Sequence, residues 1–195
     1  IAADYQIIKD NFHQCGVNLL VCDFRGYGIS TGIPNYVHLI EDSIPIFNQA
    51  TKWLKKRGYK KVYFAMGRSL GSTCAAEIGS KKSDSLNGII FESGYCDTFR
   101  LMRELFGIDF PGIKKEEFNS WSNIPRIASI TCPTLILHGT RDQIVPFYQG
   151  KEIFNTLPEK IPKKLISVEN AGHNDIQMHT DVYFSAIKEF IHNFN

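Results

Sequence analysis

A serine hydroxyl becomes a useful nucleophile only beside a base. A histidine base needs a third group to fix its tautomer and stabilise its imidazolium. The sequence supplies residues of all three kinds in comparable places. Gly67-Arg68-Ser69-Leu70-Gly71 follows the apolar run Lys61–Met66 and precedes Ser72–Ile78, whose Cys74, Ala75 and Ala76 suit a helix packed close to a sheet. Strand, Gly-x-Ser-x-Gly, helix predicts a nucleophile elbow. Such a turn strains the serine backbone, and glycine at both flanks is expected to remove collisions. It lifts the Ser69 oxygen above the sheet edge at a helix N-terminus. There the Leu70 backbone N–H faces the oxyanion that forms on attack. Asp142 falls in the loop after the run Pro133–His138, and His173 in the loop after Lys164–Val168. Loops at the C-terminal edge of a parallel sheet open on one side, so the three can converge. The chemistry would be acyl transfer through Ser69.

The elements that must position these residues follow from periodicity. Residues 2–15 carry Tyr5, Ile8, Phe12 and Cys15 at helical spacing and end at Gly16, a helix stop. Val17–Cys22 reads as a buried parallel strand running into the glycine-rich loop Asp23–Gly32. Residues 36–57 predict a helix with Ile40, Ile44, Phe47 and Leu54 on one face, a kink at Pro45 and a stop at Gly58. The elbow helix should stop at Gly79. Leu86–Phe91 is the next strand, ending in Glu92-Ser93-Gly94. Pro133–His138 and Lys164–Val168 complete the strands. A helix with Tyr148, Ile153, Phe154 and Leu157 lies between them, and a last helix carries Val182, Ala186, Ile187 and Phe190. Alternating strands and helices predict one α/β domain over 1–195 with a mainly parallel sheet of about five strands.

Periodicity breaks down over 95–131, where Phe99, Leu101, Met102, Leu105 and Phe106 exceed one narrow helical stripe. This segment is expected either as a lid over the sheet edge, with Phe99, Met102 and Phe106 lining an apolar pocket near Ser69, or as ordinary connector packing.

Composition limits the alternatives. With 22 basic and 20 acidic residues the chain has a formal net charge of +2, which gives no nucleic-acid signature. The group Lys55-Lys56-Arg57 with Lys60-Lys61 is explained by charges that favour a helix C-terminus. No apolar run approaches the roughly 18 residues of a membrane span, and no secretory leader is evident. The five scattered cysteines have no metal-ligand spacing and fit a reducing, cytoplasmic setting.

Several residues keep alternative readings open. Asp142 could cap a helix before Pro146, and Asp97 or Glu92 could serve as the acid instead. His173, Asp175 and His179 could hold a metal, although no defined cage is spelled out and no metal is expected. Gly26 and Gly28 have the first spacing of a dinucleotide loop, but Thr31 replaces the next glycine and no helix starts there. His138 suits support of the Asp142 loop; His13, His38 and His192 fall on helices. Arg25 and Arg68 flank the mouth. Either they orient an anionic group of a substrate, or they hold their loops by backbone hydrogen bonds.

Taken together, Asp23-x-Arg25-Gly26-x-Gly28-x-Ser30-x-Gly32, the elbow, His138-Gly139-x-x-Asp142-x-x-Val145-Pro146 and Gly172-His173 resemble the landmarks of the α/β-hydrolases. The branch is the serine aminopeptidase-like and lysophospholipase-like one, and the match covers nearly the whole chain. The resemblance implies a three-layer α/β-hydrolase fold, with Ser69 as nucleophile, Asp142 as acid, His173 as base and the Leu70 N–H as an oxyanion donor. It implies no cofactor and a small-molecule acyl substrate. One departure is that the family's first strands and its oxyanion loop before the first helix have no counterpart, so the fold is expected in an N-terminally truncated form. The strand Val17–Cys22 would then pair directly with the elbow strand. Two function classes follow: a serine hydrolase cleaving an ester, thioester or amide, or a catalytically impaired remnant acting as a binding module.

Overall fold

The computed structural model describes residues 2–59 and 62–195. A 3-10 turn, Ala2–Gln6, leads into helix α1 (Lys9–Gln14), so the expected 2–15 helix is two short pieces. Gly16 closes it at φ +91°, a backbone angle that glycine takes without strain. Helix α2 (Tyr36–Lys56) starts at Asn35, whose side chain accepts the Val37 N–H at 2.7 Å. Strand β1 (Phe64–Arg68) and helix α3 (Gly71–Lys82) form the elbow unit. Lys61, the first residue of the expected elbow strand, and Lys60 lie outside the described residues. Strand β2 (Gly88–Glu92) is followed by helices α4 (Thr98–Phe106), α5 (Lys115–Trp121) and α6 (Ile124–Ala128). Then come β3 (Thr134–Gly139), α7 (Phe147–Thr156), β4 (Lys163–Val168) and α8 (Thr180–Phe194).

The four strands are parallel in the order β1-β2-β3-β4. Successive side chains of a strand face opposite sides, and the core divides accordingly. Ile90, Leu135, Leu137 and Val168 face α1 and α8, meeting Phe12, Tyr183, Ile187 and Phe190. Ile89, Phe91 and Ile136 face α3, α6 and α7, meeting Ala75, Ala76, Ile127 and Ile153. Burial on both faces explains why β2 and β3 read as unbroken apolar runs. The result is the expected three-layer α/β-hydrolase fold with a parallel sheet.

Several expectations need correction. The sheet has four strands among the described residues, because Val17–Cys22 makes no ladder. It has no regular secondary structure, with Val17, Leu19 and Val21 half-buried and Asn18, Leu20 and Cys22 exposed. Val17 and Leu19 rest on the α1/α8 core layer, so side-chain packing holds this segment against the fold. Gly79 does not end its helix, since α3 continues to Lys82. An added Cβ there would strike Ile89 Cδ1, so this glycine lets α3 sit close on the sheet. On α2 the fully buried residues are Leu39 and Ser43, with Phe47 against the core. Ile40, Ile44 and Leu54 are only partly covered. On α8 it is Tyr183 that is buried, while Val182 is 47% exposed.

Segment 95–131 gathers its aromatic rings together, while Cys96, Ile127 and Ile130 join the core on the α3 side of the sheet. Phe99 is buried with its ring beside Phe110, Phe118 and Trp121, at centroid distances of 4.9, 5.0 and 6.3 Å. Leu101 packs with Tyr95 and Val145. Asp97 caps α4, accepting the Phe99 and Arg100 N–H groups at 3.0 and 3.1 Å. The Tyr36 hydroxyl donates to the Trp121 carbonyl at 2.7 Å and lies 3.3 Å from Thr73 Oγ1, tying the segment to α2 and α3.

Candidate active site

The end of β1 is bent by its local sequence. Ser69 sits at φ +50°, a left-handed angle rarely taken by a residue with a side chain. Its N–H donates to the Glu92 carbonyl at 2.9 Å, and its own carbonyl accepts from Ser72 N–H at 2.9 Å. The turn is thus pinned to β2 on one side and to the first turn of α3 on the other. Gly67 is required, because a Cβ there would run into the Gly71 backbone and the Ala75 methyl. Gly71 is not required: a Cβ at that position would meet nothing within 4 Å. The expectation of glycine at both flanks therefore holds on one side only. Leu70 lies at the N-cap position of α3. Its N–H takes no part in the turn and ladder bonds of the described residues, which suits an oxyanion donor.

Asp142 enters from the loop after β3. Its Oδ1 accepts the N–H groups of Ile144 and Val145 at 3.0 and 2.7 Å, which orients Oδ2 away from the loop. Oδ2 lies 2.8 Å from His173 Nδ1. His173 comes from the loop after β4, which is shaped by Asn170 at φ +63° and by the Gly172 N–H donating to Asp175 Oδ1 at 2.6 Å. Gly139 brings the two loops together, since a Cβ there would collide with the Ala171 backbone. The Arg141 N–H also donates to the Ala171 carbonyl at 2.9 Å. On the other side of the imidazole, His173 Nε2 lies 2.9 Å from Ser69 Oγ. With an ionised carboxylate at Nδ1, that nitrogen carries the proton and Nε2 presents its lone pair to the serine hydroxyl.

Electrostatics support this protonation pattern. Burial opposes a charge on Asp142. The His173 hydrogen bond and the Val145 N–H outweigh it and hold the carboxyl below its ordinary value. His138 Nε2 donates to the Val145 carbonyl at 2.8 Å and stands 3.6 Å from Asp142 Oδ2. Burial pushes His138 below the usual histidine value, so it stays neutral and serves the loop, as its position predicts.

The remaining candidates fall into place. Ser69 and Asp142 each contact His173, and Leu70 follows Ser69 in sequence. Asp97 is a helix cap. Glu92 is buried at the end of β2 and accepts from Arg68, Gln177 and Tyr183, so neither alternative acid meets His173. No group of three or more His, Cys, Asp or Glu side chains stands in a metal-holding arrangement among the described residues, and Asp175 is occupied by Gly172. Loop Asp23–Gly32 closes on itself through the Gly26 N–H and the Thr31 carbonyl at 3.1 Å. Arg25 holds α2 through its side chain, pairing with Asp42 at 2.6 and 3.0 Å instead of through backbone contacts. Phe99 is enclosed by other rings, Met102 is half-buried and Phe106 is 65% exposed. A groove of about 360 Å³ in this segment is lined by Phe110, Pro111, Gly112, Ile113, Glu117 and Trp121. Its walls include none of Phe99, Met102 and Phe106, and none of the three contacting residues of the site. Arg68 is engaged by Glu92, the His173 carbonyl and Asn174. Sequence reasoning missed Gln177, Tyr183 and Asn174. Their partners lie 85, 91 and 106 residues away, and no local spacing announces such contacts.

The fold is that of the α/β-hydrolase class, and the Ser69–His173–Asp142 contact lies at the C-terminal edge of its sheet. The family model for serine aminopeptidase, S33, matches residues 2–110, more than half of the sequence. The chain belongs to that family, within the α/β-hydrolase superfamily. Among curated relatives, human alpha/beta hydrolase domain-containing protein 17B is 28% identical over 179 residues, covering 89% of this chain and 56% of the relative. The alpha/beta hydrolase domain-containing protein aho-3 of Caenorhabditis elegans is 28% identical over 181 residues, with 89% and 48% covered. The chain thus spans about half the length of the curated relatives it matches. Among solved structures, the monoacylglycerol lipase of Paleococcus ferrophilus superposes with a TM-score of 0.74 at 17% identity, over 99% of this chain and 90% of that one. Est1E of Butyrivibrio proteoclasticus, solved with ferulic acid bound, gives 0.75 at 18% identity, with 96% and 81% covered. These structural likenesses establish the fold.

Proposed function

We propose that the chain is a serine hydrolase that cleaves an ester, thioester or amide bond through an acyl-enzyme on Ser69. The observation that carries this reading is the continuous relay from Ser69 Oγ through His173 to Asp142, with contacts of 2.9 and 2.8 Å. Ser69 Oγ attacks the acyl carbon while His173 Nε2 takes the hydroxyl proton. The negative charge that develops on the carbonyl oxygen is met by the Leu70 N–H at the start of α3, where the helix dipole adds to the effect. Collapse of the tetrahedral intermediate breaks the bond to the leaving group, which departs with the proton from His173. Water then enters, gives a proton to the same nitrogen, and releases the acid and free Ser69. Asp142 stays ionised throughout and stabilises the imidazolium. The substrate class that this chemistry takes is a small-molecule acyl compound.

The test is turnover of a panel of aryl esters and thioesters by the chain and three variants. Ser69→Ala and His173→Ala should each lower kcat on the order of 10⁶-fold, and Asp142→Asn on the order of 10⁴-fold. Wild-type protein without turnover on any substrate would favour the binding-module reading instead.

A further inference from the structure

The two sides of the site are joined by more than their own hydrogen bond. Arg68 ends β1 and Glu92 ends β2, and the two residues are paired in register. Arg68 Nε donates to Glu92 Oε1 at 3.1 Å, while Nη2 donates to the His173 carbonyl at 2.8 Å and to Asn174 Oδ1 at 2.9 Å. The Glu92 carboxylate has no solvent exposure and also accepts from Gln177 Nε2, at 3.0 and 3.1 Å, and from the Tyr183 hydroxyl at 2.8 Å. Its main-chain carbonyl accepts the Ser69 N–H at 2.9 Å. One buried residue therefore holds Ser69 by its main chain and Arg68 by its side chain, and Arg68 in turn holds the main chain of His173.

A buried ion pair is a poor source of stability, because desolvation offsets most of the attraction. Burial indeed pushes the Glu92 carboxyl up, against the Tyr183 hydrogen bond and the Arg68 charge. What the arrangement supplies is geometry. The planar guanidinium addresses acceptors in two fixed directions, which a lysine ammonium on a flexible stem does not. Reacting groups must be held to within about 0.5 Å for efficient chemistry.

We infer that Arg68 is a positioning residue that sets the Ser69–His173 separation, clamping the His173 main chain to the end of β1 through buried Glu92. Its effect on turnover rests on the hydrolase reading above; its effect on His173 does not. The rival role, binding an anionic group of the substrate, would fall to Nη1, since the Nε and Nη2 donors are engaged within the fold.

The full chain and the variants Arg68→Gln and Arg68→Lys test this. Steady-state kinetics would use one neutral aryl ester and one carrying a carboxylate, alongside thermal unfolding and ¹⁵N spectra of the histidine side chains. In folded Arg68→Gln, kcat should fall about 100-fold with KM unchanged for both esters, as a displacement near 1 Å would cause. Arg68→Lys keeps the charge facing Glu92 yet should fall nearly as far, and it carries the test if Arg68→Gln does not fold. A rise in KM confined to the anionic ester would make Arg68 a substrate contact and overturn the inference. An unchanged kcat in folded Arg68→Lys would overturn it as well. If wild type turns over neither ester, the hydrolase reading fails and the clamp is judged on the spectra. Altered His173 ring ¹⁵N shifts in Arg68→Lys support it, and unchanged shifts contradict it.

Discussion

Two apolar runs, Thr134–Gly139 and residues 17–22, carry the same strand signal and meet different fates. Every residue of β3 is buried, and it is laddered to β2 on one side and β4 on the other. The run 17–22 alternates half-buried with exposed residues and has no ladder partner among the described residues. The difference teaches that apolar content and β-branching give a strand signal, whereas membership of a sheet depends on a neighbour far away in sequence. It also explains where the site lies. Ser69, Asp142 and His173 all follow strands that are laddered and therefore fixed, while the loop after 17–22 contributes no residue to the contact among them.

The comparison can be sharpened by substitution, beginning with the largest effect. Ile136→Ala should cost about 2–5 kcal/mol, since the side chain is wholly buried and the cavity cannot collapse between two layers. Urea denaturation measures this directly. Next comes the elbow. Gly67→Ala should cost about 1–3 kcal/mol by overpacking against Gly71 and Ala75. Gly71→Ala, facing open space, should be neutral or stabilise α3 by up to about 1 kcal/mol. Equal losses from the two glycines would contradict the one-sided account of the turn. The smallest effect belongs to the unladdered run, where exposed Leu20→Ala should change stability by less than about 0.5 kcal/mol. A loss comparable to that of Ile136→Ala would mean that this run belongs to the folded sheet after all.

A pH prediction separates the site from the rest of the core. The folded-state pKa of Asp142 is depressed, so its contribution to stability is complete above the ordinary aspartate value. It is lost as pH falls through the lower, folded value. The difference in melting temperature between wild type and Asp142→Asn should therefore hold steady at neutral pH and shrink in that acidic window. A gap that instead widens on acidification would reverse the sign.

Much of this was legible beforehand because it is local. Strand, tight turn, helix around Ser69 and the loops after β3 and β4 are written in short stretches, and their convergence follows from a parallel sheet. Other features are set by tertiary neighbours. Gly79 reads as a helix stop, yet it is a contact glycine because Ile89 and Ile130 stand beside it. Phe99 reads equally as pocket lining or as connector packing, and three aromatic rings within its own segment claim it for the second. Arg68 reads either as a substrate-orienting charge or as a side chain holding a loop by backbone hydrogen bonds; its bond to the His173 carbonyl fits the second, and only the fold supplies that partner, 105 residues on.

The central claim is that Ser69 is the activated nucleophile. Treating the chain with a fluorophosphonate and mapping the adduct by peptide mass tests it most directly. One adduct on the peptide containing Ser69, absent in Ser69→Ala and strongly slowed in His173→Ala, is the predicted result. An adduct on another residue, or labelling that survives Ser69→Ala, would contradict it.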